Sequence, residues 1–134
     1  MKILVAYDGS TESRRGLEWA ARFGAGDQVS VISVAPTLEA TEKIRDAVDP
    51  TSDVPLHQRQ LDEAREFLAQ SGIEPATLLK VGNPAEEIIE TASEGTFDMI
   101  VVGKRGRGAV QRFLIGSVAD RVVRHASVPV LVVR

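Results

Sequence analysis

The sequence contains no cysteine, which excludes disulfides, thiolate-ligated zinc and a cysteine nucleophile together. It has no surplus of positive charge. Sixteen Lys and Arg against 19 Asp and Glu leave a formal net charge of −3, whereas a domain that neutralises nucleic-acid phosphates is basic. It has no long apolar run either. Met99–Val102 and Val128–Val133 are far short of the roughly 20 residues that a membrane-spanning helix needs. The opening run Ile3–Tyr7 meets Asp8 at once, so no signal peptide is expected and the expected location is the cytoplasm. What remains is ordinary globular composition, 43% hydrophobic and 26% charged over 134 residues. A chain of that length predicts one domain, residues 1–134, large enough to bury a core without staples.

Five short β-branched runs recur, and all but the last are followed by a segment of helical pattern. Lys2–Tyr7 leads into Asp8-Gly9-Ser10, where Ser10 can cap a helix carrying Leu17, Ala20 and Ala21 at helical spacing. Gln28–Ala35 is stopped by Pro36. Thr37 to about Pro55 has two prolines, several acids and no strong period; it reads as loop with a helical turn or two, and as the segment expected to move. From about Leu56 the set Leu61, Ala64, Leu68 predicts a helix ending at Gly72. After a strand near Pro75–Val81 comes a strong helix start, with Asn83 as N-cap, Pro84 at N1 and Glu86 at N3. Asp98–Val102 reads as a strand covered on both faces, a last helix starts near Ser117, and Val128–Val133 closes the chain. Such alternation predicts an α/β fold: an open, five-stranded parallel sheet with helices on both faces. Ligands of these sheets sit beyond the carboxyl ends of the strands, which directs attention to Asp8–Ser10 and Gly103–Gly116.

The second of these loops is the informative one. Gly103, Gly106, Gly108 and Gly116 lie between a buried strand and a helix start. Gly103 and Gly106 can let a ligand approach the backbone closely. Gly116 and Ser117 are expected to leave free N–H groups, with a hydroxyl, at a helix N-terminus, an anion site. Lys104, Arg105, Arg107 and Arg112 add positive charge. These features describe a phosphate cradle. A P-loop is rejected, because Ala109-Val110 follows the second glycine where Lys and a hydroxyl are required. A dinucleotide fingerprint beginning at Gly106 fails at Gln111, and the loop after the first strand has the single glycine Gly9.

Gly103-x2-Gly106-x9-Gly116-Ser117 resembles the G-2x-G-9x-G-[ST] motif of the ATP-binding branch of the universal stress protein family. The similarity covers the whole chain. Val5-Ala6-Tyr7-Asp8-Gly9-Ser10, Gly82-Asn83-Pro84-Ala85-Glu86-Glu87-Ile88 and Val128-Pro129-Val130-Leu131-Val132-Val133 resemble further blocks of that family. The resemblance implies strand order 3-2-1-4-5, a Rossmann-like sheet of the adenine nucleotide alpha hydrolase-like kind. It also implies an ATP site. Asp8 and Val34 would flank the adenine, with Ala6 in the same set. Val102 and Gly103 would lie along base and ribose, and Gly106, Gly116, Ser117 and Val118 would hold the phosphates. A divalent ion, Mg2+ or Mn2+, would ride on the phosphates. Lys104 departs from the family pattern, where a small hydroxyl residue is commoner, and either strengthens phosphate binding or crowds the ribose. The resemblance further implies a homodimer through the Val128–Val133 edge strand, since pairing with a second copy removes an aggregation-prone edge; against that, Pro129 and Arg134 can blunt the edge of a monomer.

Simpler readings stand beside these. Asp8 can form only a turn, Ser117 only a cap, and Val34 and Val102 only core. Arg105, Arg107 and Arg112 read individually as solvated surface. His57 and His125 lack metal-ligand companions; His125 suits a helix C-terminus and Trp19 edge packing. Asp62-Glu63 and Glu86-Glu87 read as solvated helix faces. No general base or nucleophile stands out, so a nucleotide-dependent stress-response regulator with no or slow ATP hydrolysis is expected. The alternatives are a phosphoryl- or adenylyl-transfer enzyme, a sensor of AMP or cyclic AMP, and a protein-interaction module with an empty site. Protein partners are not legible.

Overall fold

The structure, a computed structural model, describes residues 1–36, 50–105 and 115–134. Strand β1 (Lys2–Ala6) leads to helix α1 (Thr11–Phe23), β2 (Gln28–Pro36), α2 (Pro50–Ala69), β3 (Ala76–Gly82), α3 (Pro84–Glu94), β4 (Met99–Gly103), α4 (Ser117–His125) and β5 (Val130–Val133). The strands form one sheet in the order β3-β2-β1-β4-β5, with every pairing parallel. The expected α/β architecture and strand order are therefore those of the molecule.

Alternation along β1 builds the two halves of the core. Ile3 and Val5 face a cluster with Leu17 and Ala20 of α1 and with Leu61, Ala64 and Leu68 of α2. Leu4 points the other way, into Ile88 and Ala92 of α3, Ala119 and Val122 of α4, and Ile100 of β4. Burial on both faces explains why the central strands read as continuous apolar runs.

Both caps read from the sequence form. The Ser13 N–H donates to Ser10 Oγ at 3.2 Å, and the Glu86 N–H donates to Asn83 Oδ1 at 3.1 Å. Gly72 follows α2 at φ +74°. Two expectations need correction. Pro50 to Pro55 belong to α2 and not to a loop; residues 37–49 of that expected segment lie outside the described residues. Proline is accommodated in a first helical turn, and Pro55, on the exposed side, costs the helix one backbone hydrogen bond that water can replace. The last strand is also shorter than expected. It begins at Val130, although the Pro129 carbonyl already accepts from the Ile100 N–H at 3.0 Å.

The chain builds outward from β1 through β2 to β3, then returns to place β4 on the other side of β1. The direction of winding thus reverses between β1 and β4, and a crevice opens at the carboxyl ends of this pair.

Candidate functional site

The residues after β1 and β4 meet at this reversal. On the β1 side, Asp8 organises a tight turn. Its Oδ1 accepts from the Ser10 N–H at 2.9 Å and from the Ser13 hydroxyl at 2.8 Å. Gly9 takes φ +81°, a conformation that L side chains rarely adopt. Together with the Ser10 cap, these bonds serve the amino end of α1 from within the protein. Asp8 forms the turn that the simpler reading of Asp-Gly-Ser describes, and it is half-buried.

On the β4 side, Gly103 is required by packing. A Cβ there would lie 2.8 Å from the Ser13 nitrogen and 2.9 Å from the Glu12 carbonyl carbon, so only glycine lets the first turn of α1 lie against β4. Its φ is not positive. Packing against the helix thus accounts for this glycine beside the sequence rationale of room for a ligand. Lys104 is held at its backbone on both sides: its N–H donates to the Val133 carbonyl and its carbonyl accepts from the Gly116 N–H, each at 2.7 Å. That second bond closes the base of the glycine loop. It also corrects the expectation that the Gly116 N–H is free.

Beyond Gly116 nothing among the described residues caps the helix end. Gly116 is the N-cap of α4, with extended φ −71° and ψ 159° and no side-chain cap bond. The N–H groups of Ser117, Val118 and Ala119 have no partner within the helix, as in the first turn of any helix, and they carry the positive end of its dipole. Ser117 is exposed and its hydroxyl lies at the same end.

Among the other site residues read from the sequence, Val34 and Val102 are buried, and Ala6 and Val118 are half-buried beside them in one apolar cluster. The structure therefore gathers Ala6, Val34, Val102 and Val118 on the sheet face that carries α4. Gly106, Arg107, Gly108 and Arg112 lie outside the described residues. Arg105 is not solvated surface. Its Nη2 lies 3.3 Å from Glu12 Oε1, the two side chains being 32% and 20% exposed, and its buried Nε has no hydrogen-bond partner among the described residues. The pair joins the loop after β4 to the first turn of α1 across the crevice.

A buried polar group that the sequence reading missed lies beneath the Asp8 turn. Ser33 of β2 and His57 and Gln60 of α2 are all buried. Ser33 Oγ lies 2.5 Å from His57 Nδ1 and 3.4 Å from Gln60 Oε1, and Gln60 Nε2 donates to the Asp8 carbonyl at 3.0 Å. A signal was present. His57 and Gln60 share the helical face of Leu61 and Ala64, and polar residues on a core-facing stripe need partners.

His125 ends α4 and is exposed, and Trp19 is half-buried with its ring centroid 5.4 Å from that of Phe23, as expected for both. Asp62, Glu63 and Glu86 are exposed, and Glu87 is half-buried. An open concavity of about 780 Å³ lies at the other end of the strands, their amino ends, between Lys2, Asp27, Gly72, Glu94 and Phe97. No glycine-rich loop or open helix start faces it.

Comparison with known proteins agrees with this geometry. The family model described as universal stress protein family matches residues 1–134. The chain is 32% identical to the universal stress protein YxiE of Bacillus subtilis, covering 99% of this chain and 98% of that one. It is 35% identical to a universal stress protein of Thermus aquaticus, covering 98% and 97%. Among solved structures, it resembles the universal stress protein from Archaeoglobus fulgidus in complex with dAMP. That match has a TM-score of 0.76 and 28% identity, covering 100% of this chain and 98% of the other. With the β1–β4 reversal, the closed base of the glycine loop and the open start of α4, these matches place the chain in the universal stress protein family.

Proposed function

We propose that this chain binds an adenine nucleotide, ATP first among them, and acts as a nucleotide-dependent regulator in the stress response. The observation that carries the reading is the open start of α4, whose cap is a glycine without a side chain, at the crevice where ligands of such sheets bind. Phosphates are placed on the N–H groups of Ser117 and Val118 and on the Ser117 hydroxyl, with Gly116 keeping a Cβ out of their way. The adenine is placed between the Asp8 turn and Val34, with Ala6 and Val102 along its edge and Gly103 near the ribose. Lys104 stands at the base of the loop with its ammonium available to the phosphates.

A divalent ion, Mg2+ or Mn2+, fits this site if the phosphates and water supply most of its ligands, as magnesium prefers. Among the described residues, no three His, Asp or Glu side chains are grouped to hold one. Slow or absent hydrolysis is the companion reading. The Asp8 oxygen already accepts two hydrogen bonds, which suits fixing a turn better than activating water. The dAMP complex of the Archaeoglobus fulgidus relative favours a second reading, in which a nucleoside monophosphate is the ligand. A homodimer through β5 fits the position of that strand at the sheet edge, where Val130–Val133 are half-buried in the single chain. No helix among the described residues is long and apolar enough to cross a membrane.

The test is identification of any nucleotide released by heat from the purified protein. Calorimetric titration with ATP, AMP and cyclic AMP follows, with and without magnesium, using Gly116→Trp as control. The reading expects near one ATP per chain and loss of binding in the variant. Absence of binding by every nucleotide sinks it, and turnover well above a slow leak, abolished in Gly116→Trp, sinks the regulatory part.

A further inference from the structure

The buried polar group beneath the Asp8 turn has no counterpart elsewhere in the described core, where the remaining buried polar residues are Ser13 and Ser30. It links three elements. Gln60, 5% exposed, donates from Nε2 to the Asp8 carbonyl at 3.0 Å, and a Cβ on Gly9 would lie 2.9 Å from that same nitrogen. The turn and the amide are therefore fitted to each other. The bond also fixes which end of the Gln60 amide points where: the NH₂ faces Asp8, so the oxygen faces Ser33.

Donor counting then orders the whole chain of contacts. The Ser33 hydroxyl has one proton. When it donates to Gln60 Oε1 at 3.4 Å, the short contact to His57 Nδ1 at 2.5 Å requires the proton on the ring nitrogen. His57 Nδ1–H, the Ser33 hydroxyl and the Gln60 amide then form one directed series that ends on the Asp8 carbonyl. Turning the Gln60 amide over sets its oxygen against that carbonyl, two acceptors with no proton between them, an arrangement that is costly out of water.

We infer that Gln60, oriented by Ser33 and His57, is the positioning residue for the base end of the nucleotide site: it holds the Asp8–Gly9 turn in its ligand-ready form from beneath. The inference rests on the adenine-nucleotide reading above. Gln60 itself need not touch the ligand. Its effect passes through Asp8, so it belongs to the base end and not to the phosphate end, which α4 and its loop supply. It also ties α2 to the site, so a displaced Asp8 turn is felt by the helix that carries His57.

The experiment titrates wild type, Gln60→Leu and Ser33→Ala with three probes: ATP, adenosine and inorganic tripolyphosphate. For Gln60→Leu, affinities for ATP and adenosine fall together by about tenfold, the size expected for loss of one buried hydrogen bond with its partner left unpaired, while affinity for tripolyphosphate is unchanged. Ser33→Ala, the milder change should Gln60→Leu fold poorly, gives the same split at smaller size. A merely structural role weakens all three probes together, and that result overturns the inference, as does an ATP affinity equal to wild type in both variants. If wild type itself binds neither ATP nor adenosine, the nucleotide reading falls first and takes this inference with it.

Discussion

Two helices begin at the crevice between β1 and β4, and they begin in opposite ways. The amino end of α1 is capped by side chains: Ser10 Oγ accepts from the Ser13 N–H, Asp8 accepts from the Ser10 N–H and the Ser13 hydroxyl, and Glu12 holds Arg105. The amino end of α4 has a glycine cap with no side-chain bond. Helix starts are alike in their backbone and each leaves donors to be served. The difference lies in who serves them. At α1 the Ser10 side chain serves the Ser13 N–H, and the protein gains stability and a fixed turn. At α4 no cap side chain among the described residues does this, which costs the fold some stability; on the reading proposed above the donors are kept for phosphate.

The largest effect is expected from making the two ends alike. Gly116→Asp places a carboxylate at the N-cap, where the extended φ and ψ of Gly116 suit a capping residue. It should serve the open amides and repel phosphate, so that ATP affinity falls by about 100-fold or more while thermal stability stays level or rises, by at most about 1 kcal/mol. Calorimetry and thermal unfolding read the two halves. A variant that binds ATP normally breaks the comparison.

Next comes the contact that seats α1. Gly103→Ala drives a methyl into the backbone of Glu12 and Ser13, with an expected loss of about 2 kcal/mol in urea unfolding, in line with overpacking at a tight site. An unchanged unfolding midpoint means that α1 can move away from β4 at little cost. Ser10→Ala removes the α1 cap and should cost about 1 kcal/mol of stability, with less than a twofold change in ATP affinity once the folded protein is saturated. A large loss of affinity instead would show that the capped helix end also serves the ligand. The smallest effect is at the bridge between the two sides. Glu12→Gln frees Arg105 from its partner and should tighten ATP binding about twofold to threefold at low salt, with the gain disappearing at high salt.

Much of this was legible in the sequence because it depends on local rules. The strands announced themselves as apolar runs, Asn83 and Ser10 as caps, and the paired loops at Asp8 and Gly103 as the place where the sheet reverses. The less legible parts depend on residues distant in sequence. Gly103 was read for its room beside a ligand, and the packing need for it, the backbone of Glu12 and Ser13, lies about 90 residues away in the chain. The Gly116 N–H looked free until the Lys104 carbonyl was found opposite it. Pro55 read as a breaker because propensity counts one lost hydrogen bond and not the tertiary packing that α2 retains through Leu61, Ala64 and Leu68. Ser33, His57 and Gln60 each looked unremarkable alone, since only the pairing of β2 with the face of α2 makes them one buried group.

The most direct test of the central contrast is an ATP titration followed at individual backbone amides by nuclear magnetic resonance. Phosphate docking on α4 predicts that the resonances of Ser117, Val118 and Ala119 shift together and saturate near one ATP per chain, while those of Glu12 and Ser13 in the capped turn of α1 shift little. Saturating ATP that leaves the Ser117–Ala119 resonances in place would contradict the account, whatever else in the protein responds.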